Sequence, residues 1–332
     1  MSTIANLGLK DPGLYKSQGL INGEWISSPS TFSVMNPANG TELAQVSEMT
    51  VDDTKQAILA ADKAFQTWSQ TTAKSRHDIL MKFFQLMSEH TDDLGRLITL
   101  ENGKPFTEGK GEVTYSASFM EWYAEEAVRA YGEVLPPMQA GSRGVVLKQP
   151  IGVVSILTPW NFPSAMITRK LGAALAAGCT AVIKPAPETP LSALALAEIA
   201  NRAGVPKGVI NVITASKNMP DIAKEMCENP IVRKISFTGS TRIAKLLAGY
   251  AAGTLKKMTI EAGGNAPFIV FDDADIDKAV DGVIASKFRN SGQTCVCANR
   301  ILVQSSVYAD FAAKLAAKVS SFVVGDGFDE KT

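Results

Sequence analysis

Between residues 150 and 253 the chain repeats a unit of apolar strand, turn and helix, and that alternation restricts the fold more than any other feature. The strands are GVVSILTP, AVIKP, GVINVIT and KISFTG. The helices between and after them are TRKLGAALAAG, LSALALAEIANRAG, DIAKEMCEN and STRIAKLLAGYAAG. Strands this apolar have no polar face to offer water, so helices must cover both sides of the sheet they form. The expected class is α/β, a doubly wound parallel sheet. Its ligands should bind outside the carboxyl ends of the strands, near helix N-termini.

The flanks read differently. Residues 1–50 are punctuated by turns (INGEW, SSPS, NPANG) and predict short strands and loops packed on the body. Helical periodicity follows over 51–68, 74–90, 91–101 and 106–131, with TVDD as a cap and first acidic turn. GVVLKQP, 144–150, predicts a strand leading out. After the last repeat, LKKMTIEAGGNAPFIVF predicts two strands around a Gly-Gly hinge, with a boundary near 255–270. Helix 275–288, a cysteine segment, strand RILVQ and helix 307–322 complete the chain.

Charge and composition exclude several functions. Lys+Arg and Asp+Glu are both 33, with no basic stripe for nucleic acid. There is no run of 18 apolar residues to span a membrane. The start, MSTIANLGLKDPG, lacks the marks of a signal or transit peptide. Four cysteines in 332 residues are too few for a disulfide scaffold, so a cytoplasmic protein is expected. The two histidines, His77 and His90, both fall in one amphipathic helix. With no G-x-S-x-G elbow present, a histidine-assisted nucleophile is not expected.

FRNSGQTCVCANR, 288–300, holds Cys295 and Cys297. A zinc clasp needs four ligands, and Cys179 and Cys227 read as small buried hydrophobes, so no metal is expected. Three readings stay open on the residues alone: a polar loop with incidental thiols, a reversible Cys295–Cys297 disulfide, or a nucleophile at a turn whose N–H groups face an oxyanion. TPWNFP (158–163) and IEAGG (260–264) lie at neighbouring strand ends. There they bring an amide, Asn161, and a carboxylate, Glu261, into play.

TPWNFP, AAGCTAVIKPAPETP, SFTGST, IEAGGNAPFIVFDDADID and FRNSGQTCVCANR occur in the order and approximate spacing of the aldehyde dehydrogenase superfamily. The chain resembles that family from about residue 18 onward, most closely its succinate-semialdehyde dehydrogenase branch. The resemblance implies a Rossmann-like dinucleotide-binding domain over 51–260, with an arm strand near 140–150. It implies the first part of a catalytic domain over 261–332, after an N-terminal segment 1–50.

The resemblance also assigns roles. Cys295 matches the nucleophile that adds to the aldehyde. Asn161 and the Cys295 N–H match the oxyanion donors, and Glu261 the base that activates the hydrolytic water. Thr158, Pro159, Trp160 and Asn161 match residues along the cofactor, and Lys184 the lysine at the adenosine ribose. Gly239, Ser240 and Thr241 match the pyrophosphate turn, and Ala262 stands beside the nicotinamide where leucine is commoner. NAD-preferring relatives often carry a glutamate three residues after the lysine. Here that position is Pro187, with Glu188 one step later, which favours NADP over NAD. Arg169 and Arg289 match arginines that bind a distal carboxylate, and Cys297 the branch's second thiol, a candidate for a reversible bond to Cys295.

The implied reaction is NAD(P)-dependent oxidation of succinate semialdehyde to succinate, as in GABA breakdown. Members of the family continue well past Thr332. The resemblance therefore implies a C-terminally truncated chain that lacks the oligomerisation strand of a homo-oligomeric family. Two alternatives stand beside it: an inactive dinucleotide-binding fragment, and a dehydrogenase for another small aldehyde such as glutarate semialdehyde.

Overall fold

A computed structural model describes residues 7–332. It opens with β1 (Gly19–Ile21), β2 (Glu24–Ile26), β3 (Thr31–Met35) and β4 (Glu42–Ser47), followed by α1 (Val51–Trp68), α2 (Ala73–Glu89), α3 (Thr91–Asn102) and α4 (Phe106–Ala127). Next come β5 (Glu133–Leu135) and β6 (Gly144–Val146), then β7 (Val153–Leu157), α5 (Ala165–Ala176), β8 (Thr180–Lys184), α6 (Pro190–Ala203), β9 (Ile210–Val212), α7 (Met219–Glu228), β10 (Val232–Thr238) and α8 (Thr241–Ala252). The chain finishes with β11 (Lys257–Glu261), β12 (Pro267–Val270), α9 (Ile276–Lys287), β13 (Arg300–Val303) and α10 (Tyr308–Ser320).

The main sheet has seven strands in the order β11-β10-β7-β8-β9-β1-β2. The five strands from β11 to β9 are parallel. Its two faces are separated by the pleat. Val154 and Ile156 of β7 and Ala181 and Ile183 of β8 pack into a cluster with α2 to α6. Val153 and Leu157 of β7 and Val182 of β8 point the other way, into a cluster with α1, α7 and α8. Alternation on one strand thus feeds two cores, which is the doubly wound arrangement expected from apolar strands.

Strand order decides where a ligand can sit. The chain builds β7, β8 and β9 outward in one direction, then returns to place β10 on the other side of β7. The helices after β7 and β10 therefore leave on opposite faces, and a crevice opens between the two strand ends. Thr158–Asn161 and Gly239–Thr241 follow those ends directly.

Local chemistry holds the helices that frame the crevice. Thr50 and Asp53 form a reciprocal capping box at α1. Glu101, from α3, accepts the Leu191 and Ser192 N–H groups at 2.8 Å and supplies the cap that Thr189 does not give α6. Gly204, at φ 92°, closes the same helix.

Two features differ from expectation. The sheet is not wholly parallel: β1 joins β9 in antiparallel sense and β2 extends it. Strands of three residues carry too little pattern to be placed in advance. Helix α4 stops at Ala127 rather than near 131, because the chain turns into the β5–β6 ribbon. There a side chain on Gly132 would strike the Val146 carbonyl at 2.2 Å. Beyond β11, β12 and β13 pair in parallel over a small cluster of Val270, Val280, Val283 and Phe311. Among the described residues no helix is long and apolar enough to cross a membrane.

Candidate active site

A cavity of about 530 Å³ opens at the crevice between the β7 and β10 ends. Of the residues singled out in the sequence, Pro159, Trp160, Asn161, Arg169, Gly239, Ser240, Glu261, Ala262, Arg289 and Cys295 line it. The thiol and the carboxylate therefore face one space, although 34 positions separate them in the numbering.

Cys295 lies on the turn before β13, with its side chain exposed, unlike the buried Cys179, Cys227 and Cys297. Its own N–H has no protein acceptor among the described residues and is open to an oxyanion. Asn161 comes from the β7–α5 turn. Its Nδ2 donates to the Gln293 carbonyl at 2.6 Å. A primary amide has two N–H bonds, so this contact orients the group and leaves the second donor for the cavity.

Glu261 ends β11, with its carboxylate among cations. Arg169 Nη2 lies 3.1 Å from one oxygen, Lys170 Nζ 3.8 Å from the other, and the Thr238 hydroxyl donates to it at 3.1 Å. Burial brings the Lys170 amine down to about 8, against the attraction of Glu261. Arg169 is thus engaged. Arg289 instead has no acidic partner among the described residues, and its guanidinium stacks 5.4 Å from the Phe162 ring and 5.9 Å from Tyr115.

The dinucleotide half of the crevice has open donors. At the start of α8 the N–H groups of Ser240, Thr241 and Arg242 have no protein acceptor among the described residues. The Ser240 hydroxyl caps the Ile243 N–H at 3.4 Å. This is a helix N-terminus ready for a pyrophosphate. Gly239 is required there, because a Cβ would approach the Phe237 ring to 2.5 Å. At the β7 end the buried Thr158 hydroxyl has no partner among the described residues. Unpaired donors on both sides of the switch point fit a dinucleotide.

Five predicted residues do not line the cavity. Thr158 is buried beneath it and Thr241 stands just outside on α8. Lys184 is buried at the β8 end, its amine donating to the Pro185 carbonyl at 2.9 Å, and burial lowers it to about 8. Pro187 lies on the same turn. Cys297 is buried and does not line the cavity, its N–H bonded to the Thr294 carbonyl at 3.0 Å. His77 and His90 pair near Asp78, Glu125 and Asp11, remote from the site.

Sequence reasoning missed several residues. Tyr115, Phe162, Met166 and Gln293 also line the cavity. Lys104, Glu108 and Glu112 support it from behind. Lys104 precedes α4 and Glu108 and Glu112 lie on it, and nothing local in the sequence marks their place. Only their spacing, with Glu108 and Glu112 one turn apart, put them on a common face.

A thiol and a carboxylate facing one cavity at a dinucleotide switch point is the layout of a thiol-dependent dehydrogenase. The profile of the aldehyde dehydrogenase family matches residues 25–332, and the chain belongs to that family of oxidoreductases. Succinate-semialdehyde dehydrogenase [NADP(+)] GabD of Escherichia coli K12 is 58% identical over 97% of this chain and 67% of its own length. Glutarate-semialdehyde dehydrogenase of Pseudomonas putida is 55% identical over 98% of this chain and 68% of its own. A crystal structure of an E. coli NADP-dependent enzyme superposes with a TM-score of 0.95 at 57% identity, covering 98% of this chain and 67% of that one. The chain thus spans about two thirds of the length of these relatives.

Proposed function

We propose that this site oxidises a short aldehyde bearing a distal anion, with succinate semialdehyde as the preferred substrate and NADP as the preferred acceptor. The observation that carries the reading is Arg289, a guanidinium with no acidic partner among the described residues, in the same cavity as Cys295, Asn161 and Glu261. A fork of donors with no internal carboxylate favours an anionic tail over a neutral one. The relatives' names agree in kind, since both named semialdehydes carry a terminal carboxylate. Glutarate semialdehyde, one methylene longer, is the second reading.

In this account the Cys295 thiolate adds to the aldehyde carbon, and the carbonyl oxygen becomes an oxyanion. The second Asn161 N–H and the Cys295 N–H hold that charge. When bound, the nicotinamide supplies the acceptor for the hydride that leaves the carbon. Glu261 then takes a proton from water as the water attacks the Cys295 thioester, releasing the acid and the thiol. Thr158, Trp160, Ser240, Thr241 and Arg242 would hold the dinucleotide along the crevice, and Lys184 would meet its ribose. Pro187 removes the acceptor that would disfavour a 2′-phosphate. We further propose that 51–260 is the dinucleotide-binding domain and 261–332 the start of the catalytic one.

The test is NADPH formation from succinate semialdehyde by this chain. The account expects turnover that Cys295→Ala abolishes, with butanal at least about 10-fold poorer in kcat/KM. Equal rates on both aldehydes would remove the anionic-tail reading. A soluble chain that binds NADP and does not oxidise any aldehyde would leave the binding-fragment alternative.

A further inference from the structure

The two loops that carry Asn161 and Cys295 are tied to one helix end by a chain of charged and amide groups. Lys104, just before α4, is buried against Glu112 of that helix and donates to the Asn161 carbonyl at 2.9 Å. The other Glu112 oxygen accepts the Ser164 and Ala165 N–H groups at 2.9 and 3.2 Å, which pins the start of α5. Asn290 Nδ2 donates to the same Asn161 carbonyl at 2.7 Å. Glu108, in the first turn of α4, accepts the Asn290 N–H at 3.0 and 3.2 Å.

The backbone at that point needs such support. Asn290 (φ 50°), Ser291 (φ 52°) and Gly292 (φ 79°) stand left-handed in succession, immediately before the cysteine turn. Two consecutive non-glycine residues in that region cost about 1–2 kcal/mol each, so outside contacts must hold them. Those contacts come from Glu108 and Asn161.

We infer that Lys104 and Glu108 are positioning residues that set the oxyanion donors of Asn161 and Cys295 against each other. The inference rests on the active-site reading above. Neither side chain touches the reacting atoms: Lys104 acts through the Asn161 carbonyl and Glu108 through Asn290.

Two reactions of Cys295 separate this role from general loosening, and neither needs a dinucleotide. Acylation by p-nitrophenyl acetate forms the Sγ–acyl bond, passes through an oxyanion, and expels p-nitrophenolate. Alkylation by iodoacetamide displaces iodide at a saturated carbon and has no oxyanion. In the full chain, Glu108→Ala should lower the acylation rate about 10-fold and alkylation of Cys295, located by mass spectrometry, less than about 2-fold. Glu108→Gln, which keeps an acceptor oxygen, should recover most of the loss. Lys104→Met should behave like Glu108→Ala; if it does not fold, the Glu108 pair carries the test alone. An equal fall in both rates, or no fall in either, overturns the inference. If the unaltered chain is not acylated at Cys295, the active-site reading itself fails and the inference falls with it. An unchanged ratio with normal acylation overturns the inference alone.

Discussion

At the scale of the residue, the two arginines expected to act as a pair behave differently. Arg169 is spent on Glu261, whereas Arg289 rests on aromatic faces and has no acidic partner among the described residues. Arg289→Ala should therefore raise KM for succinate semialdehyde about 10- to 100-fold and leave butanal nearly unchanged. Arg169→Ala should lower kcat for both aldehydes, because it releases the base from its partner. Steady-state kinetics on the two substrates check the split. Lys184 gives a pH signature. Its usual value of 10.5 is brought down to about 8 by burial, so between those values the unfolded chain keeps a proton that the folded chain has lost. Stability gained through this group therefore rises with pH across that window. Lys184→Met removes the buried charge, so its Tm should exceed that of the unaltered chain most at pH 7.5, with the gap closing by pH 10. A gap independent of pH would contradict the assignment. Lys184 was singled out by the family resemblance, since a lysine at a strand end reads by itself as an edge lysine with its amine in water. Lys104, before α4, and Glu112, on it, were invisible because charged side chains are usually solvated and nothing local distinguishes a buried pair.

At the scale of the element, the strand-turn-helix repeat was legible because β7 and β8 are buried on both faces, so apolar residues run without alternation. The same property put ligands outside the carboxyl ends of the strands, whereas the switch point between β7 and β10 follows from the strand order in the structure. The segment from 288 to 294 was not legible. Its left-handed run is encoded by Asn, Ser and Gly, residues equally at home in any loop. The structure makes this run the mount for Cys295, which predicts a graded response. Ser291→Gly should change stability by less than about 0.5 kcal/mol, and Ser291→Val should cost about 1–2 kcal/mol, since a β-branched side chain is worst at positive φ. Chemical denaturation of the three proteins decides it; equal stability of the Gly and Val forms would show that the segment is not left-handed in solution. The β5–β6 ribbon was legible only in part: GVVLKQP, 144–150, predicted a strand where β6 stands. Its partner β5 is three residues long and carries too little pattern to be read in advance.

At the scale of the whole molecule, apolar surface is unevenly covered. The ribbon exposes Val134 at 78% and Met138 at 96%, beside a large exposed Leu147. A two-stranded ribbon with open edges and apolar faces favours association. Sedimentation velocity should show concentration-dependent association, reduced by Val134→Ser together with Val145→Ser; a monomer at all concentrations would contradict this. The molecular plan that matters for chemistry is more compact. One sheet reversal puts β7, β10 and β11 side by side, and their ends deliver Asn161, the Gly239–Thr241 turn and Glu261 to one crevice, which the 288–300 segment closes with Cys295.

That convergence makes a two-step chemistry the central claim, and rapid mixing with NADP and succinate semialdehyde tests it most directly. Glu261→Gln should retain a burst of about one NADPH per site and then turn over at least about 100-fold more slowly, because the thioester forms and water is no longer activated. Cys295→Ala should show neither burst nor turnover. Steady turnover by Glu261→Gln at the unaltered rate, or a burst from Cys295→Ala, would contradict the account.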